Sequence, residues 1–127
     1  MNANKKILIV DDEPDILEFL SYNFRKKEFD VFTANSGLQG VKFAISESPD
    51  IIISDLLMPE MNGIEMCREI RKIGNHIPIL FLTAVNDEYA FIDAMLSGGD
   101  QYVSKPIRFP YLLMMVNQLM ESKAENI

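Results

Sequence analysis

The sequence predicts an α/β protein in which five strands alternate with five helices, (βα)5, wound into a doubly wound parallel sheet of strand order 2-1-3-4-5. Three observations predict it. Ile7-Leu8-Ile9-Val10, Ile51-Ile52-Ile53 and Ile79-Leu80-Phe81-Leu82 are short, continuous apolar runs, as strands buried on both faces require. Between the runs, apolar residues recur at helical spacing behind helix-capping signals. The connections are short, which suits right-handed crossovers between parallel neighbours. The 127 residues fit one domain, and at that size roughly two-thirds of the unfolded surface can be buried.

The first run ends in Asp11-Asp12-Glu13. Pro14 suits the first turn of a helix, and Asp15 and Glu18 suit its positive end. Ile16, Leu17, Leu20 and Phe24 carry the period of that helix, which should end near Lys26-Lys27. Asp30 to Ala34 alternates as a short strand. Ser36-Gly37-Leu38-Gln39 has the form of a capping box, followed by Leu38, Val41, Ala44 and Ile45 on one face. The central run then meets Ser54 and Asp55 and stops at Pro59, which cannot continue a central strand. Asn62 reads as the N-cap of a third helix with Glu65 at N3, and Gly74-Asn75 as its end. A fourth strand spans 79–83, a helix about 87–97, a fifth strand 101–104, and a last helix runs from Phe109 to about Ser122. Residues 1–127 read as one domain with a core of about 5–121, and 122–127 as a frayed tail or the start of a linker.

Composition excludes several classes. The net charge of −7 argues against direct binding to nucleic acid or an anionic membrane, both of which need clustered Lys and Arg. The lone Cys67 rules out an internal disulfide and fits a reducing compartment; on its helix it reads as a small apolar side chain. No stretch reaches the ~18 apolar residues of a membrane span, and the N-terminal residues carry no signal-peptide pattern. His76 reads as a surface residue.

In open parallel sheets, ligands bind at the carboxyl ends of the strands. The predicted strands carry Asp11, Asp12, Asp55, Thr83 and Lys105 to that one edge. Three carboxylates held together repel, and so raise their pKa values or recruit a cation; hard oxygen donors suit Mg²⁺. Taken singly, each residue has a structural explanation: helix-start acids, a strand-forming threonine, a surface lysine. Together they make a carboxylate nucleophile, a metal site and donors for phosphoryl oxygens.

These pieces resemble the receiver domain of bacterial two-component response regulators. The resemblance rests on Ile7 to Glu13, Asp55-Leu56-Leu57-Met58-Pro59-Glu60-Met61-Asn62-Gly63, Leu82-Thr83-Ala84, Gly98-Gly99-Asp100 and Lys105-Pro106. It implies a flavodoxin-like receiver fold and a regulatory domain in the cytoplasm, not an enzyme acting on other substrates. It further implies that Asp55 accepts a phosphoryl group from a histidine kinase or phosphotransfer protein. Asp11, Asp12, Asp55 and the backbone carbonyl of Leu57 would hold Mg²⁺, with Mn²⁺ as a substitute. Thr83 and Lys105 would bind the phosphoryl oxygens, Tyr102 would swing inward behind Thr83, and Lys105–Pro106 would be cis. Two departures stand out: Asn62 replaces the usual aspartate, a mild change because Asn also caps, and Ile107 replaces the usual phenylalanine. Leu57 and Val85, two residues after the acceptor and the threonine, offer no group to orient water, so slow self-dephosphorylation is expected.

Three other functions compete. A haloacid dehalogenase-type phosphatase would need a second acid where Leu57 stands, and a cap domain. A flavodoxin-like cofactor binder would need a Ser/Thr/Gly-rich loop where Asp11-Asp12-Glu13 stands. A receiver that is never phosphorylated would have no use for the complete set of acids, threonine and lysine. Output is expected on the face of helix 4, strand 5 and helix 5. There the resemblance aligns Tyr89, Phe91, Gln101, Tyr111 and Met115 with positions that are charged in one branch of the family. On helix 5, Tyr111 and Met115, with Met114, are expected to form an exposed apolar patch, and this face is expected to pair with a second copy or an output domain.

Overall fold

The computed structural model describes residues 4–84 and 88–125. The alternation read from the apolar runs is present throughout: β1 (Lys6–Val10), α1 (Pro14–Lys26), β2 (Asp30–Ala34), α2 (Gly37–Glu47), β3 (Ile51–Asp55), α3 (Gly63–Lys72), β4 (Ile79–Thr83), α4 (Glu88–Leu96), β5 (Gln101–Ser104) and α5 (Phe109–Glu125). All four strand pairings are parallel, in the order β2-β1-β3-β4-β5.

Successive side chains on a strand point to opposite faces, and here both faces are covered. Ile7, Ile9, Ile51, Ile53, Leu80 and Leu82 pack with Leu20 and Phe24 of α1 and Leu112 and Val116 of α5. Leu8, Val10, Ile52 and Phe81 pack on the other side with Ala44, Met66, Cys67, Ile70 and Ala94 from α2, α3 and α4. This double burial is why the strands read as unbroken apolar runs and not as alternating ones.

Local signals act where expected, with one variation. Pro14 opens α1. Asn62 and Glu65 form a reciprocal capping box on α3. At α2 the Ser36 hydroxyl accepts from the Gln39 N–H at 3.2 Å, but the Gln39 side chain accepts from Asn35 N–H, one residue earlier than a capping box needs. Gly74 ends α3 with φ +78°, and Gly98 follows α4 with φ +108°, a conformation glycine adopts without steric cost.

Two expectations about α5 need correction. The helix runs past Ser122 to Glu125, and Lys123 on its last turn pairs with Asp100 at 3.0 Å. Met115 is not on an exposed side: it is half-buried and packs against the α1/α5 core with Leu119 and Met120. Tyr111 and Met114 are exposed as expected. On α4, Phe91, Ile92 and Leu96 are exposed, Leu96 at 79%. Gln101 is half-buried. Asp87, Val85 and the side chain of Tyr89 lie outside the described residues.

Candidate functional site

The parallel sheet carries the ends of β1, β3, β4 and β5 to one edge. Asp11 follows β1 directly and is 1% exposed, and Asp55 ends β3 at 6% exposed. Asp12 is exposed beside them. One carboxylate oxygen from each of the three lies within 4.8 Å of the others. Lys105, after β5, brings its ammonium to 3.7 Å from Asp11 Oδ2 and 3.7 Å from Asp55 Oδ2. Thr83, at the end of β4, is fully buried, and its carbonyl accepts the Lys105 backbone N–H at 2.7 Å. Lys105–Pro106 is cis. Tyr102, on β5, is half-buried, and its ring meets Phe91 of α4 edge-to-face at 5.3 Å.

The carboxylates are held under electrostatic tension. Burial pushes the Asp55 carboxyl up to about 6, and the Asp11 charge pushes the same way, while Lys105 and a hydrogen bond from the Leu57 backbone N–H oppose it. Asp11 is also raised, mainly by burial; the Glu13 N–H on its Oδ1 at 2.9 Å and the charge of Lys105 pull it down. Its other oxygen, Oδ2, is buried with no hydrogen-bond partner among the described residues. A buried carboxylate oxygen left in that state calls for a cation or a proton. Three hard oxygen donors with one unsatisfied oxygen fit Mg²⁺ or Mn²⁺.

The loop after Asp55 shapes the mouth of the site. Leu57 projects there, 63% exposed, while Leu56 and Met58 are buried. A side chain at Gly63 would run into the Asp55 carbonyl, so the first residue of α3 must be glycine for the helix to approach this closely. The expected site residues Asp11, Asp12, Asp55, Thr83 and Lys105 thus share one edge, with Tyr102 further back on β5, opposite Phe81. Ser54, whose buried hydroxyl donates to the Asp55 carbonyl at 2.9 Å, was not singled out by its sequence, because a serine near a strand end carries no distinctive signal.

The opposite edge of the sheet holds a second charged cluster that the sequence did not reveal. Arg71 of α3 donates to the Gly98 carbonyl through Nε at 3.1 Å and Nη2 at 2.9 Å, and also to the Asn75 carbonyl at 3.0 Å. Its Nη2 pairs with Asp100 Oδ2 at 3.0 Å. That oxygen also accepts the Ile79 N–H at 2.9 Å, and Asp100 Oδ1 meets Lys123. Asn75 apart, the partners are 21 to 29 residues apart in sequence, and no local pattern links them.

The family model described as "Response regulator receiver domain" matches residues 7–117. The chain is 42% identical over 103 residues to the alkaline phosphatase synthesis transcriptional regulatory protein PhoP of Bacillus subtilis, a match covering 81% of this chain and 43% of that protein. The chain therefore spans less than half the length of that relative. It is 32% identical to a response regulator receiver domain protein from Clostridium thermocellum, with a TM-score of 0.88 over 97% of this chain and 99% of that one. A receiver domain protein from Methanospirillum hungatei shares the fold at a TM-score of 0.92, covering 98% of this chain and 99% of that one at 22% identity. Among the described residues, no helix is long and apolar enough to cross a membrane.

Proposed function

The chain belongs to the response regulator receiver domain family, a family of regulatory domains, and we propose that it acts there as a switch set by phosphorylation of Asp55. The observation that carries this reading is the meeting of three carboxylates within 4.8 Å with one ammonium 3.7 Å from two of them. Residues 1–127 make one receiver domain with a core of about 5–121. The phosphoryl donor is a phosphohistidine on a histidine kinase or phosphotransfer protein, and the domain works in the cytoplasm.

A carboxylate oxygen of Asp55 attacks the phosphorus. The new P–O bond forms as the P–N bond to histidine breaks, and the imidazole leaves with the electron pair. With a pKa of about 6, Asp55 is mostly ionised at pH 7 and more basic than an ordinary carboxylate. Asp11, Asp12 and Asp55, with the Leu57 carbonyl, would hold Mg²⁺, which when bound would supply charge neutralisation for the acids and the phosphoryl oxygens. Lys105 donates to a phosphoryl oxygen, and the Thr83 hydroxyl moves to another. The added charge binds better to this rearranged Thr83 and Lys105 and shifts the population towards it. Tyr102 follows Thr83, and its contact with Phe91 carries the change to α4. Leu57 at the mouth has no group to orient an attacking water, so the phosphoryl group leaves slowly.

The altered α4–β5–α5 face controls a partner or an attached output domain. Phe91, Tyr111 and Met114 give it exposed apolar surface, so pairing there, with a second copy or another domain, is apolar and insensitive to salt. Sedimentation of the Mg²⁺–beryllofluoride form across a salt series tests this: self-association that Tyr111→Glu leaves intact, or that salt abolishes, refutes it for homodimers.

Incubation with acetyl phosphate and Mg²⁺ should add one phosphate by intact mass. Asp55→Asn should take up none at a comparable rate; equal labelling of the variant would overturn the assignment.

A further inference from the structure

Ser54 is a polar residue in the middle of the sheet, 0% exposed, and β3 places it directly after three isoleucines. A buried hydroxyl needs a partner. This one does not bond across the sheet: it donates to the carbonyl of its own neighbour, Asp55, at 2.9 Å. That carbonyl lies just past the last rung of the β1–β3 ladder, which ends with Val10 opposite Ser54. From the other side it is packed against Gly63, where no side chain would fit. Gly63 N–H in turn donates to the Leu56 carbonyl at 3.0 Å, and the capped start of α3 holds Gly63 in place. The N–H of the peptide link after Asp55 donates to the Leu82 carbonyl of β4 at 3.2 Å, and its carbonyl is gripped between a hydroxyl and a helix end. One residue further on, the Leu57 N–H bonds to the Asp55 carboxylate.

We propose that Ser54 is a positioning residue for the phosphoryl acceptor: with the Leu56 N–H held by β4, its hydroxyl completes the fixing of the peptide plane after Asp55 and thereby aims the Asp55 carboxylate and the Leu57 N–H that steadies it. This rests on the reading of Asp55 as acceptor. A carboxylate nucleophile gains most of its advantage from being held in line with the phosphorus. Rotation of the following peptide would move the Leu57 N–H away and free the carboxylate to turn towards Lys105.

Two substitutions separate the hydroxyl from its volume. Ser54→Ala removes the hydroxyl; Ser54→Thr keeps it and adds a methyl group. With acetyl phosphate at saturating Mg²⁺, Ser54→Ala should label about tenfold more slowly, while Ser54→Thr stays within about twofold of wild type. In NMR spectra of the unphosphorylated protein, the Leu57 and Gly63 amide signals should move in Ser54→Ala and stay near wild type in Ser54→Thr. Ser54→Cys, similar in size and a weaker donor, replaces the alanine variant if that does not fold, with the same slowing expected. Equal rates for wild type and Ser54→Ala, equal slowing by alanine and threonine, or unmoved amides in Ser54→Ala would each overturn the proposal. A wild-type protein that takes up no phosphate would defeat the reading of Asp55, and the amide signals would then decide the role of Ser54 on their own.

Discussion

The two edges of the sheet use the same residue types to opposite ends. At the amino edge, Asp100 has both oxygens engaged at 2.9 to 3.0 Å, by Arg71, Ile79 N–H and Lys123. At the carboxyl edge, three aspartates stand together, one lysine comes only to 3.7 Å from two of them, and Asp11 Oδ2 has no hydrogen bond among the described residues. A satisfied carboxylate ties elements together, whereas an unsatisfied one is kept ready for something that arrives from outside. The difference lies in how many donors the fold brings within 3 Å, not in the amino acids.

If that contrast is right, substitutions at the two edges should move stability in opposite directions. The largest effect is expected at the amino edge. Arg71→Met leaves Asp100 short of a partner and the Gly98 carbonyl without either of its Arg71 bonds, and should destabilise the fold by about 2–4 kcal/mol in urea unfolding. A loss below about 1 kcal/mol would mean that the network is ornamental.

At the carboxyl edge the sign reverses. The Asp55 pKa rises from 3.8 unfolded to about 6 folded, so the folded state holds the proton more tightly. The contribution of Asp55 to stability is therefore greatest below pH 3.8 and is lost as pH rises through about 6. Asp55→Asn should stabilise the protein by about 2–3 kcal/mol at pH 7 without metal, an advantage that fades as the pH falls towards 4. A variant less stable than wild type at pH 7 would break the comparison.

Mg²⁺ should relieve the same tension. At ten times its Kd it should stabilise the wild type by about 1.4 kcal/mol and should do far less for Asp11→Asn or Asp55→Asn, as thermal melts with and without EDTA will read. The smallest effect concerns water at the mouth. Leu57→Asn/Val85→Glu should shorten the phosphoryl lifetime about fivefold, roughly 1 kcal/mol in barrier, and an unchanged or longer lifetime would remove Leu57 from the account.

The carboxyl edge was legible in the sequence because each of its residues ends a strand or follows one closely. Asp11, Asp55, Thr83 and Lys105 inherit their positions from the sheet order alone, and the order follows from doubly buried apolar runs. The amino edge was not legible, since Arg71, Asp100 and Lys123 meet only once α3, β5 and α5 are packed. The same reason hid the true length of α5, whose last turn is held by Asp100. Met115 was misread because α5 carries apolar residues on several sides, so the pattern could not say how far the helix leans into the core. Ser54 was passed over because its hydroxyl acts on a backbone atom, which leaves no trace in side-chain spacing.

The placement of Lys105 after the last strand has a consequence for biosynthesis. A ribosome releases all three acids by residue 55, whereas the cation that tempers them follows fifty residues later. A nascent or truncated chain without β5 therefore carries the acids together with no lysine to hold them in register. If Asp55 is the acceptor proposed above, an unfinished copy would present it without the ammonium that stands 3.7 Å away in the folded domain.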